Sequence, residues 1–122
     1  LRNPVIRRFV LREDMKLEKK AGISALCEYS LLSDNVYPTY AVTKKELKDS
    51  GVKVEKQVSE LEEIGCVVLE LGYFIDFLGK GFQDPLSVVL SLTGEEQEEE
   101  RVDISINEML EEYVWSKDCR LQ

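Results

Sequence analysis

"VTKKELKDSGVKVEKQVSELEEIGCVVLELG", residues 42–72, is the stretch on which the reading of this chain turns. Its Thr43-Lys44-Lys45-Glu46 matches a capping box, in which the Thr43 hydroxyl accepts from the third helical amide and the Glu46 carboxylate accepts from the Thr43 amide. Val42 and Leu47 flank the cap as a hydrophobic staple. Ser50-Gly51 stops this helix within two turns. A second helix is predicted from about Lys53 to Ile64, its apolar face made by Val54, Val58 and Leu61, with Gly65 as a left-handed C-cap. In "CVVLEL" the apolar period shifts toward that of a strand. The order is short helix, tight turn, longer helix, strand.

Downstream, "CVVLELGYFIDF" and "LSVVLSL" read as the two strands of a hairpin, joined by "LGKGFQDP" with Gly79, Gly81 and Pro85 as turn residues. Upstream, Asn3-Pro4 opens a short helix with Val5, Ile6, Phe9 and Val10 on one face. A longer helix runs from about Met15 to Leu32, with Ile23, Leu26, Cys27 and Leu31 as its buried stripe and Ser33-Asp34-Asn35 as its stop. Val54, Val58, Leu61 and Ile64 are expected to pack on this helix around Leu26 and Cys27. "VYPTYAV" contains Pro38 and supports at most a short edge strand. "EEQEEE", residues 95–100, reads as a solvated turn. Ile106, Met109, Leu110, Tyr113 and Val114 then fit a helical stripe, although "RVDISI" also alternates with period two.

The 122 residues, 43% apolar and 33% charged, suit a single domain with one core. Within it, residues 15–93 form the core unit, 94–101 an acidic loop and 102–116 a C-terminal helix. No apolar run reaches the roughly 20 residues that span a bilayer. Arginines interrupt the first apolar segment where a signal peptide needs an unbroken one. A cytoplasmic protein without membrane contact is expected. Cys27, Cys66 and Cys119 form no CxxC pair and histidine is absent, so no metal or cofactor is expected. General acid–base work would fall to carboxylates, lysine, tyrosine or cysteine, and no GxGxxG, P-loop or GxSxG is present. The chain is not read as an enzyme.

Charge is divided along the chain. Residues 1–57 hold 12 basic and 8 acidic residues (+4), and residues 58–122 hold 4 and 16 (−12), which together give −8. An acidic total therefore leaves room for a basic face.

The two-turn helix, glycine turn and longer helix ending in "LEEIGCV" resemble the winged-helix branch of the helix-turn-helix proteins, over roughly residues 22–93. The resemblance implies an α+β fold, a winged helix-turn-helix with a β-hairpin wing, here extended by a C-terminal helix. It also implies a DNA-binding transcriptional regulator. The second helix of the pair would bring Lys53, Lys56 and Gln57 to base edges, Lys44, Lys45 and Lys48 would contact phosphates, and Lys80 would sit at the wing turn. Glu55, Glu60, Glu62 and Glu63 on the same helix oppose phosphate. "DPLSVVLSL", the acidic run and "ERVDISINEMLEEYVW" also resemble, in outline, the tail of antitoxin-type regulators associated with abortive infection, which points to a prokaryotic regulator. The implied partners are double-stranded DNA and a second copy in a homodimer, through the apolar faces of the N-terminal segment and C-terminal helix. The alternative is a winged-helix protein-interaction module without DNA binding, in which the lysines only solubilise the surface.

Overall fold

β3 (Cys66–Leu71) is buried along its whole length between two neighbours. β1 (Val5–Leu11) runs antiparallel to it and β2 (Thr39–Thr43) parallel, in the order β1-β3-β2. A strand covered on both faces reads as a nearly continuous apolar run, which is why "CVVLEL" shows no clean alternation. Its one charge, Glu70, is buried and accepts from Arg7 Nε at 2.6 Å, the partner a buried carboxylate needs. This computed structural model describes residues 2–33, 37–59 and 62–115.

One face of the sheet presents Phe9, Leu11, Tyr40, Val42 and Val68, covered by Met15, Leu17, Val52 and by Leu47 of α2 (Lys44–Asp49). The other face presents Ala41, Val67, Leu69 and Leu71. It meets Gly22, which opens α1 (Gly22–Tyr29) and lies also against Leu92 at the end of α3 (Pro85–Ser91). Behind that layer, α1, α3 and α5 (Glu100–Tyr113) close a second core of Ile23, Leu26, Val88, Val102, Ile106 and Met109. The short α4 (Gly94–Glu98) leads into α5. The sheet thus has α2 on one side and the other helices on the opposite side.

The fold is α+β, but its order departs from helices followed by a hairpin. Residues 5–11 form a strand because Val5, Ile6 and Val10 are β-branched and Phe9 and Leu11 alternate with Arg8 and Val10 across the sheet. Asn3 does not cap a helix; its side chain accepts from the Val5 amide at 2.9 Å as the chain turns into β1. The helix expected over residues 15–32 is confined to Gly22–Tyr29. Residues 19–21 instead cover the outer edge of β2, where the Ala41 amide donates to the Lys19 carbonyl at 2.9 Å and the Ala21 amide to the Thr39 carbonyl at 3.1 Å. Leu31, assigned to the buried stripe, is 98% exposed. Asp34 and Asn35 of the expected stop lie outside the described residues.

The second helix of the pair does not form. Val54–Lys56 make a single 3-10 turn, after which the backbone joins the outer edge of β1. The Arg12 amide donates to the Lys56 carbonyl at 3.3 Å, and the Val58 amide to the Val10 carbonyl at 2.9 Å. An exposed strand edge offers unpaired donors and acceptors, and β-branched Val54 and Val58 have little helix propensity to set against them. Val54 is 61% exposed, and Ile64 packs with the sheet rather than on Leu26 and Cys27. Leu61 lies outside the described residues. Gly65 is not a left-handed cap: a Cβ there would come within 2.4 Å of the Arg12 carbonyl oxygen, so two backbones touch at this point.

"LSVVLSL" is helical, not a wing strand. Asp84 caps α3 by accepting from the Ser87 amide at 3.3 Å, and Pro85 occupies its first turn. An apolar run of this length fits either state by period alone; the Asp-Pro start decides. The turn between the two segments is real, with Gly79 and Gly81 at φ of +73° and +84°. Residues 95–100 are not a turn. Thr93 and Glu96 form a second capping box, at 2.9 and 3.1 Å, and Glu99 caps α5 by accepting from the Arg101 and Val102 amides. α5 is helical from Glu100 onward, which settles the period-two alternative in "RVDISI". The apolar faces assigned to a dimer, on residues 5–10 and on α5, are largely used inside the chain. Among the described residues no helix is long and apolar enough to cross a membrane.

Candidate nucleic-acid interface

The capping box on α2 forms as its spacing requires: the Glu46 amide donates to Thr43 Oγ1 at 3.3 Å and the Thr43 amide to Glu46 Oε1 at 3.0 Å. Val42 and Leu47 pack in one cluster and hold the helix on the sheet. Glu46 is also tied down, because Lys19 Nζ donates to both its carboxylate oxygens at 3.0 and 2.9 Å. That hydrogen bond is the leading cause that keeps the Glu46 carboxyl below its usual range, followed by the Thr43 amide. With Glu46 and Leu47 held against the body, Lys44, Lys45 and Lys48 are left exposed.

Lys53 is exposed at the start of the 3-10 turn, while Lys56 and Gln57 are half-buried on the edge of β1, where Gln57 bridges to Leu11. They are not displayed along a groove-reading helix. Lys80 belongs to a different loop, residues 76–83, closed by the Gly81 amide on Asp76 at 2.7 Å and joined to Lys20 through the Gly81 carbonyl at 2.8 Å. The structure therefore places Lys44, Lys45, Lys48, Lys53 and Lys56 on one crossover between β2 and β3, and sets Lys80 apart from it.

None of these six lysines enters an ion pair among the described residues. Arg7, Arg8, Arg12, Lys19, Lys20 and Arg101 all do. Residues 43–57 hold 5 lysines and 3 acids, and one of those acids, Glu46, is already paired with Lys19. Residues 94–115 hold 9 acids against Arg101 alone, but they follow α3 on the far side of the sheet from α2. Packed layers stand about 10 Å apart, and the Debye length at physiological salt is about 8 Å. The acid that outnumbers the lysines in sequence is held away from them in space.

Sequence reasoning missed the groove beside α2, a space of about 470 Å³ lined by Leu17, Glu18, Lys19, Glu46 and Asp49 among others. Its carboxylates make it unsuited to phosphate, so the cationic surface is the outer face of α2 rather than this groove. Arg12 was missed too. It pairs with Glu62 at 3.3 Å, and Glu62 accepts from the Ser59 amide and hydroxyl at 3.0 and 2.8 Å. The Ser59-x-x-Glu62 spacing was the signal for that turn. No group of three or more metal-ligating side chains stands together among the described residues. None of the protein families, curated proteins or solved structures compared with the chain matches it.

Proposed function

We propose that the protein is a DNA-binding domain of a transcriptional regulator that contacts duplex phosphates through Lys44, Lys45, Lys48, Lys53 and Lys56. The observation that carries this reading is that all five lie on one crossover and none enters an ion pair among the described residues, with the large acidic segment across the sheet. Phosphate contacts supply affinity and position but no sequence information. A winged helix would add a base-reading helix beginning at Lys53. A single 3-10 turn at that place supports a narrower role, in which the domain tracks the backbone and Lys80 adds at most a peripheral contact.

Fluorescence anisotropy on a labelled mixed-sequence duplex tests this. If all five lysines engage, log K should fall with log[salt] with a slope of about −4 to −5. The triple change Lys44→Ala, Lys45→Ala and Lys48→Ala should flatten that slope by about 3, and Lys53→Ala with Lys56→Ala by about 2. Absence of measurable duplex affinity at about 50 mM salt would overturn the proposal.

A further inference from the structure

We propose that the cleft between α3 and α5 docks a cationic amphipathic helix of a partner protein. This surface lies across the sheet from the α2 lysines, and the proposal stands independently of DNA binding. Leu86, Val89 and Leu90 of α3 and Leu110 of α5 line an open apolar cleft of about 280 Å³. Leu86 is 39% exposed there, and α3, "PLSVVLS", has no charged residue to interrupt that wall.

The exposed flank of α5 beside Leu110 is acidic. At about 100° per residue, Asp103, Glu100 and Glu111 fall on the flank of α5 that borders Leu110, away from the buried Val102, Ile106 and Met109. They lie within a stretch of twelve residues, about 16 Å of helix from first to last, or roughly three turns of a ligand laid alongside. The matching ligand is a helix with apolar residues at i, i+3, i+4 and i+7 facing the cleft and Lys or Arg along one flank. A second copy of this chain fits poorly, because its charge is also −8 and its own amphipathic α5 would bring acid against acid. The same carboxylates exclude nucleic acid from this flank.

The probe is a synthetic amphipathic peptide of about 16 residues with leucines on one face and lysines on one flank. A control peptide carries glutamates in place of the lysines. Titrated against the full chain, the lysine peptide should bind and the glutamate peptide should bind at least about tenfold more weakly. Leu86→Ser should weaken the lysine peptide by about tenfold or more, with an unchanged melting transition. Leu86→Met should retain binding. Glu100→Gln, Asp103→Asn and Glu111→Gln together should weaken it most at low salt. Equal binding of the two peptides, no binding of either, or indifference to Leu86→Ser would overturn the proposal. So would a dimer in sedimentation that Leu86→Ser dissociates, since a second copy would then be the occupant.

Discussion

Two residues hold the layers together through contacts that have no signature in the sequence. Gln83 is fully buried between α1 and α3. Its side-chain carbonyl accepts from the Gly22 amide at 3.0 Å, its amide donates to Ser91 Oγ at 2.9 Å, and its backbone carbonyl accepts from the Tyr29 hydroxyl. Burial, and then Asp84 nearby, push that hydroxyl well above the usual tyrosine pKa. Gln83→Leu should cost about 1–3 kcal/mol for each buried group it strands, read by urea denaturation. A near-neutral result would mean that water replaces the amide. Gly65 is required for another reason, since its Cβ position lies 2.4 Å from backbone. Gly65→Ala should therefore destabilise by about 1–3 kcal/mol or more through forced displacement of β1. An unchanged midpoint would show that residues 12–13 move freely.

At the level of elements, α2 and α4 start in the same way, each with a threonine and a glutamate three residues on. Thr43→Ala should cost about 0.5–2 kcal/mol and Thr43→Ser almost nothing, because the hydroxyl is the accepting group. Equal losses would sink the capping account. The Glu46 carboxyl is lowered in the folded state. Its contribution is therefore present above the unfolded carboxylate pKa and is lost as pH falls through the folded value. The Glu46→Gln and wild-type stability curves should accordingly converge in acid. The α2 cap was legible because four adjacent residues contain the whole interaction, whereas the same spacing from Thr93 to Glu96 is masked by the acidic run, which reads as a turn. The states of residues 5–11, 53–59 and 86–92 were not legible, because period and propensity allowed two answers there and the partner surface chose. β1 is a strand because β3 pairs with it, and residues 57–58 are extended because the edge of β1 is open to them.

On the scale of the molecule, the sheet separates a lysine-bearing crossover from an acidic helical layer. Glu96 and Glu99 are caps, so electrostatics are better probed at the exposed Glu95 and Glu98. Changing both to Gln takes the net charge from −8 to −6. At about 0.01 M salt, where the Debye length is about 30 Å, duplex binding should tighten; at about 0.15 M, with a length near 8 Å, it should be unchanged. Tightening that persists at the higher salt would mean that acid and lysine share one surface. The sequence alone determined the α2 cap, the solvent-facing Lys44, Lys45, Lys48 and Lys53 and the acidic excess, all of which depend on residue type and neighbours within a few positions. Only the tertiary structure decided which apolar runs became strands, why Gly65 must be glycine, and on which side of the sheet each charge lies. Those outcomes depend on long-range pairing, where an open strand edge or a buried partner outweighs the few tenths of a kcal/mol per residue that typically separate local preferences.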